Sequence, residues 1–236
     1  MPATFINMAT VLVGSLIGIF FRNRIREKYI ETIFAAIALC TAAIGIMSAV
    51  KTSHILIVIV CLVIGSVIGE ALRIDDRIEN AGTWLNEKLF RGREGNSRFA
   101  EGFVSASVLF CVGSMTIMGS LEAGIRGDYS IILAKSVMDL ISSMAFGAAM
   151  GIGVTFSVLF ILVYQGGITL LAGLAAPYLS DMVVTEMSAV GGVMLIGMAV
   201  NMLELSDKRI RLANMLPAIF LPIIYFPLAE LVKGLF

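Results

Sequence analysis

Long apolar runs separated by short polar segments recur along the whole chain. A transmembrane helix needs roughly 20 apolar residues to cross a hydrocarbon core about 30 Å thick, and these runs approach that length. The eight runs lie at about 4–21, 32–50, 54–72, 102–121, 129–148, 152–172, 187–203 and 212–232. The pattern predicts an all-α polytopic membrane protein with about eight transmembrane helices, which form a single transmembrane domain over residues 1–236.

The composition agrees with a membrane protein and excludes several classes of function. Hydrophobic residues make up 58% of the chain and charged residues 14%, and the mean hydropathy is +0.96. The sequence contains no P-loop, HExxH, GxSxG or dinucleotide-binding glycine motif, and no extramembrane segment is large enough to bind a nucleotide. We therefore expect neither an enzyme nor an ATP-driven pump acting alone, and we expect no cofactor.

The partners expected from the composition are the lipid bilayer and a small ion or solute. The net charge of zero gives no indication of nucleic acid binding. Cys40, Cys61 and Cys111 all lie within apolar runs and form no CxxC pair, which favours small packing residues over a disulfide or metal site. Whether the protein forms a homo-oligomer is left open.

Most basic residues fall in three links between the apolar runs. They are Arg22, Arg24, Arg26 and Lys28 after the first run, Arg73, Arg77, Lys88, Arg91, Arg93 and Arg98 after the third, and Lys208, Arg209 and Arg211 after the seventh. With eight spans all three links lie on one side, which the positive-inside rule makes cytoplasmic, so both termini are predicted to be external. The weak point is the link at about 147–153, which should be cytoplasmic but carries no charge.

The chain from about 74 to 100 contains the one sizeable polar segment. Its apolar residues recur at helical spacing, as at Ile74, Ile78 and Leu85, with acidic residues on the rest of the helical wheel. This pattern predicts an amphipathic helix that lies on the cytoplasmic surface or docks against the transmembrane helices. A plain solvated connector is the alternative.

Short glycine-containing motifs recur in different spans and indicate internal repeats. Gly14-Ser-Leu-Ile-Gly18, Gly65-Ser-Val-Ile-Gly69 and Val193-Met-Leu-Ile-Gly197 each precede a basic link. Weak internal similarity is common in transporters built from duplicated units, although the small alphabet of membrane helices also produces such echoes by chance. The GxxxG pairs, which include Gly147 and Gly151, predict close approach of helix backbones in either case.

Span five carries two ionisable residues at membrane depth. Lys135, Asp139 and Ser142 follow at i, i+4 and i+7 and therefore share one helix face, and Ser143 widens this polar stripe. An ionisable residue within a span costs roughly 2.5–3.5 kcal/mol on insertion scales, which makes it a candidate functional group. The alternative is a structural pair in which the two charges neutralise each other so that the helix can insert.

Span four is rich in small and hydroxylic residues with low helix propensity, among them Ser114 and Thr116. Such a stretch is a candidate unwound segment whose carbonyl and hydroxyl groups coordinate an ion or solute, and ordinary small-residue packing is the alternative. Glu122 and Asp128 flank the following external turn, where they form either a cation-attracting mouth or a solvated turn.

Polar residues and prolines also interrupt the later spans. Gln165-Gly-Gly167 interrupts span six, and Asn201 lies at the end of span seven. Span eight contains Pro217, Pro222 and Pro227, each of which removes a backbone hydrogen bond, so it is predicted to be bent or partly broken.

Several segments resemble those of a bacterial family of integral membrane proteins. They are Phe110-Cys-Val-Gly-Ser-Met-Thr-Ile-Met-Gly-Ser-Leu-Glu-Ala-Gly124, Gly127-Asp128, Ala134-Lys-Ser-Val-Met-Asp139, Tyr164-Gln-Gly166, Glu186-Met-Ser-Ala-Val-Gly-Gly192 and Arg211-Leu-Ala-Asn-Met-Leu-Pro217. The family is an uncharacterised one, a domain of unknown function, that includes the YdfK and YqgA proteins. The resemblance covers essentially the whole chain and implies a multi-pass protein of the bacterial inner membrane. It assigns no functional residues.

These patterns lead to two hypotheses of function. The first is a small secondary transporter or channel with a path between spans four, five, seven and eight, in which Asp139 is the cation or proton site and Lys135 its internal competitor. The neutral ligands would be Ser114, Thr116, Ser142 and Asn201. The second is a non-transporting membrane scaffold or accessory subunit that binds a partner through the cytoplasmic segment.

Overall fold

A computed structural model describes residues 1–22, 27–78, 80, 96–112 and 114–226. The α-helices are α1 (Pro2–Arg22), α2 (Glu27–Ala49), α3 (Ile55–Leu72), α4 (Asn96–Val112), α5 (Ser114–Ile125), α6 (Ser130–Met150), α7 (Ile152–Leu170), α8 (Ala172–Ala175) and α9 (Asp181–Met202). Two 3-10 helices are present in these ranges, one between α8 and α9 at Ala176–Tyr178 and one after α9 at Leu212–Phe220. The described ranges contain no strand, which confirms the all-α class.

Within the described ranges, five helices are long and apolar enough to cross a membrane, namely α1, α3, α6, α7 and α9. A sixth span is formed if α4 and α5, which are bent by 61° at their junction, are counted as one broken helix. The apolar stretches Ala35–Ala49 and Leu212–Phe226 coincide with predicted spans two and eight but are shorter. The multi-pass helical class is therefore confirmed, whereas the count of eight spans is not.

Large apolar side chains cover the outer faces of these helices. On α3, Leu56 and Val67 are exposed, and on α6, Val137, Met138 and Ile141 are exposed. Such faces are suited to lipid rather than water, since water-exposed surfaces seldom carry contiguous apolar stripes along whole helices. The chain is thus a membrane protein in contact with the lipid bilayer.

Glycines bring α1 and α6 into direct backbone contact. A Cβ at Gly18 would lie 2.8 Å from the Ala148 nitrogen, and a Cβ at Gly147 would lie 2.8 Å from the Ser15 Cα. Gly14 faces Leu140 and Gly18 faces Met144, so the two helices run in the same direction. The predicted role of these glycines in close packing is confirmed.

A second glycine pair joins α3 to the C-terminal part of the described chain. Gly65 packs against Ala218 and Gly69 against Asn214, so that these two segments run antiparallel. Gly151 differs from the prediction: it has φ +79 and forms the turn between α6 and α7 rather than a helix contact. This tight turn is the uncharged link at about 147–153.

The predicted irregularities are placed differently by the structure. Span four, which was predicted to contain an unwound segment, is helical up to Val112 and again from Ser114, with a bend of 61° between the two helices. The predicted interruption at Gln165-Gly-Gly167 is wrong, because α7 continues through these residues to Leu170. Span eight is irregular as predicted, with a 3-10 helix around Pro217, whose ring lacks the amide hydrogen that α-helical bonding requires.

The amphipathic segment predicted at about 74–100 falls largely outside the described residues, which omit 79 and 81–95. Arg73 ends α3 in a left-handed conformation with φ 49, and residues 74–78 are helical beyond it. The predicted internal repeats stay a prediction.

Candidate functional site

A buried ion pair occupies the middle of α6. The Lys135 ammonium contacts Oδ2 of Asp139 one helical turn further on, and the two residues are 6% and 7% exposed. The opposite face of α6, which carries Val137 and Ile141, is exposed. The pair therefore faces the interior of the helix assembly, as expected for charges within a membrane span.

Two amide side chains lie beside the pair on α1 and α7. The Asn7 amide interacts with the Asp139 carboxylate, and Asn7 Nδ2 donates a hydrogen bond of 2.9 Å to Oε1 of Gln165. Asn7 and Gln165 are both completely buried. Asn7 Oδ1 and Gln165 Nε2 have no hydrogen-bond partner in the described part of the chain, which leaves one acceptor and one donor free.

Helix α4 also contributes residues beside the ion pair. The Lys135 ammonium lies 5.9 Å from the centroid of the Phe110 ring, close enough for a cation–π interaction. The Cys111 thiol lies within electrostatic range of both members of the ion pair, and the Tyr164 hydroxyl lies within range of Cys111. The Tyr164 hydroxyl is buried and unpartnered among the described residues.

We refer to Asn7, Cys111, Lys135, Asp139, Tyr164 and Gln165 as the polar cluster. Buried polar groups in proteins are nearly always hydrogen-bonded, because leaving one unpaired costs about 1–3 kcal/mol. A cluster that buries a charged pair and leaves three polar atoms unpartnered at membrane depth is therefore costly for folding alone.

The break between α4 and α5 lies next to the polar cluster. Thr116 Oγ1 donates a hydrogen bond of 2.9 Å to the Phe110 carbonyl oxygen, and Ser120 Oγ donates one of 2.5 Å to the Thr116 carbonyl oxygen. Thr116 thus links the first turn of α5 to the last turn of α4. Ser114 begins α5, and its side chain is outside the described residues.

The remaining predicted site residues lie apart from the polar cluster. Ser143 is buried against Gly14 and donates to the Leu140 carbonyl, while Ser142 is only half-buried. Asn201 exchanges two hydrogen bonds with the backbone of Ile210, of 2.8 and 2.9 Å, and so holds the loop after α9.

The charged residues of the turn after α5, which was predicted to be either a cation-attracting mouth or a solvated turn, have partners in or next to the turn. Glu122 of α5 pairs at 3.2 Å with Arg126, which lies just beyond the end of that helix. Asp128 lies in the turn just before α6. The hydrogen bond that its carboxylate accepts from the Ser130 backbone, followed by one from the Ser130 side chain, lowers its pKa below the usual value.

A family model matches residues 2–227 of the chain, nearly its full length. The chain belongs to the family "Protein of unknown function (DUF554)". Similar proteins include the "Uncharacterized membrane protein YdfK" of Bacillus subtilis (strain 168), 27% identical with 94% of each chain covered. Another is the "Uncharacterized protein YqgA" of Escherichia coli (strain K12), 29% identical with 92% of each chain covered. No solved structure matches the chain.

Family membership confirms the resemblance seen in the sequence, while the structure changes the location of the site. Besides the pair on α6, the polar cluster takes residues from α1, α4 and α7, which correspond to spans one, four and six. The polar cluster thus shares spans four and five with the predicted path and has spans one and six in place of spans seven and eight. The reason is that α1 runs parallel to α6 through its glycine contacts, which brings Asn7 to Asp139.

Sequence reasoning also missed a second buried acid. Glu186 on α9 is 1% exposed and accepts hydrogen bonds from Thr52 Oγ1 at 2.5 Å and from the Ser53 amide at 3.1 Å. Both carboxylate oxygens are thus occupied by the turn between α2 and α3. The sequence offers one signal for its burial, which is that Glu186 directly precedes the apolar run at 187–203. That signal is ambiguous, because acidic residues at the end of an apolar run usually lie in water.

Proposed function

We propose that this protein is a secondary transporter or channel that moves a small ion or solute across the bacterial inner membrane through the polar cluster. The observation that supports this most is the buried Lys135–Asp139 pair beside a broken helix. In membrane transporters, discontinuous helices near the bilayer centre supply binding sites, because the break exposes backbone groups that an intact helix would satisfy internally.

The chemistry of the pair provides a switch. When Asp139 is ionised, it neutralises Lys135 and the two hold one conformation of α6. When Asp139 binds a proton or a cation, the Lys135 ammonium loses its counter-charge and must find another partner. That exchange links ion binding to a change in side-chain position, and the amide groups of Asn7 and Gln165 on two other helices respond to it.

The orientation proposed for this transporter follows from its basic links. The links after spans one, three and seven would be cytoplasmic and both termini external. The relative directions of the packed helices, with α1 parallel to α6 and α3 antiparallel to the C-terminal part of the described chain, agree with alternating crossings. We propose no catalytic activity and no cofactor.

Purified protein in proteoliposomes is the test of transport. Gradients of H⁺, Na⁺, K⁺ and small anions are applied in turn, and the flux is compared with that of empty liposomes. At least one gradient should give protein-dependent flux, and Asp139→Asn should reduce it at least tenfold because the ion-binding carboxylate is lost. The matched control is Asp181→Asn, which removes an exposed acid at the start of α9 and should leave the flux unchanged.

If no gradient gives flux above that of empty liposomes, transport is refuted and the scaffold hypothesis takes its place. Equal flux in Asp139→Asn and wild-type protein would instead remove Asp139 from the mechanism.

A further inference from the structure

We propose that the polar cluster binds one proton and one small monovalent anion together, so that the protein is an electroneutral proton–anion symporter. The anion would be about the size of chloride or nitrate. This inference rests on the proposed function and adds the class of its substrate.

Charge balance within the buried site is the first argument. Without substrate, the Asp139 carboxylate and the Lys135 ammonium cancel. A proton that binds Asp139 forms an O–H bond and leaves a neutral carboxylic acid beside an unpaired ammonium. One monovalent anion on Lys135 then restores neutrality, so the loaded and empty sites both carry zero net charge, as a low-dielectric interior requires.

The unpartnered atoms of the cluster match these two ligands. The Asn7 amide contacts the Asp139 carboxylate and its Oδ1 has no partner among the described residues, so rotation of the amide would present an acceptor to the protonated acid. Gln165 Nε2 and the Tyr164 hydroxyl are free donors and can donate to an anion. Besides Lys135, the polar cluster thus contains two unpaired donors for an anion, and it contains one unpaired acceptor for the protonated acid.

The positive charge of Lys135 disfavours a metal cation as the transported substrate. The ring over which the Lys135 ammonium lies belongs to Phe110, in the last turn of α4 and four residues before α5 begins at Ser114. The negative end of the α4 dipole and the positive end of the α5 dipole both lie near this ring and largely cancel, so the charge that remains is that of Lys135. A metal cation bound at Asp139 would add a second positive charge here and leave Lys135 uncompensated, which disfavours cations as the transported substrate.

The titratable groups around the pair are few in the described chain. Cys111 on α4 lies within range of both Lys135 and Asp139, and Tyr164 on α7 lies within range of Cys111. Helix α1 contributes the uncharged Asn7, and α5 contributes the uncharged Thr116. Asp139 is therefore the group that takes the coupled proton. Because one proton binds with each anion, the apparent affinity for the anion should rise roughly tenfold for each unit by which the pH is lowered, as long as Asp139 is ionised in the empty site.

Proteoliposomes that contain a lumenal pH dye test the symport. An inward gradient of chloride or nitrate against gluconate should acidify the lumen, and clamping the membrane potential at different values should not alter the initial rate. Tyr164→Phe should weaken the apparent anion affinity roughly tenfold, because one hydrogen bond to a charged group is lost. The matched control Tyr178→Phe changes an exposed tyrosine outside the cluster and should behave as wild type.

Binding measured by thermal stabilisation in detergent gives a second readout that needs no transport. Nitrate should stabilise the wild-type protein only at low pH, stabilise Asp139→Asn at every pH, and stabilise Lys135→Met at none. The inference would be overturned if nitrate stabilised the wild-type protein equally at every pH, or stabilised Lys135→Met as well as wild type.

The outcomes separate the two proposals. Flux driven by a Na⁺ or K⁺ gradient in gluconate, with no acidification by chloride or nitrate, would overturn the symport and leave transport intact. Anion flux that follows the membrane potential without proton movement would also overturn it. No flux under any gradient would refute the symport together with the proposed function.

Discussion

Replacing Asp139 by asparagine is expected to lower the free energy of unfolding by about 3 kcal/mol, because the change leaves the buried Lys135 ammonium without its partner. The double variant Asp139→Asn with Lys135→Met should recover much of that loss, since it removes both charges and fills the space with an apolar side chain. Thermal unfolding in detergent would measure the difference. The only anion in the buffer should be bulky gluconate, so that no small anion replaces the carboxylate.

The chain contains a matched control for this comparison. Glu122 and Arg126 have the same i, i+4 spacing at the end of α5, but the Arg126 side chain is 73% exposed. Glu122→Gln, alone or with Arg126→Met, should change stability by less than about 1 kcal/mol, as exposed pairs do. Equal stability of Asp139→Asn and its double variant would mean that the Lys135–Asp139 pair is solvated or not in contact.

Replacing Gly18 by alanine is expected to destabilise the protein by about 2 kcal/mol. The added methyl group would collide with the Met144 carbonyl oxygen and lie 2.8 Å from the Ala148 nitrogen, so that α1 and α6 must move apart. Because these are backbone atoms, no side-chain rotation can relieve the contact. The displacement would also pull Asn7 away from Asp139, so flux should fall together with stability.

Gly167 provides the matched control for the glycine substitution. It lies within α7, and a Cβ there would meet nothing within 4 Å. Gly167→Ala should therefore be neutral or stabilise the protein by up to about 1 kcal/mol, through the higher helix propensity of alanine. A Gly18→Ala variant as stable as Gly167→Ala would show that α1 and α6 are not in backbone contact.

The class of fold was readable from the sequence because it depends on composition and length alone. Apolar runs long enough to span a bilayer specify membrane helices whatever their neighbours are. The glycine motifs were informative for a similar reason: a helix with glycines four residues apart presents a groove that some other helix must fill. The sequence does not tell which helix fills it, and α1 pairs with α6 across more than a hundred residues of chain.

The sequence predicts the charged residues of the polar cluster but not the amide residues beside them. Lys135 and Asp139 stand out because a charge in an apolar run is rare, and their spacing places them on one helix face. Asn7 and Gln165 are short amides in apolar runs, and their sequence context is the same whether they face lipid, another helix or a binding site. Conversely, Asn201 looked like a site residue, yet it binds the backbone at Ile210, a role set by the loop geometry after α9.

The central claim is that the polar cluster is part of a path that water reaches during transport, and Cys111 tests it without altering the ion pair. Cys111 is buried next to Lys135 and Asp139, whereas the equally buried Cys61 lies on α3, away from the cluster. Two variants, each retaining only one of these cysteines, would be treated with a water-soluble, membrane-impermeant methanethiosulfonate in proteoliposomes. If water reaches the polar cluster, Cys111 reacts much faster than Cys61. Equal, slow reaction of both would show a dry interior and contradict this claim.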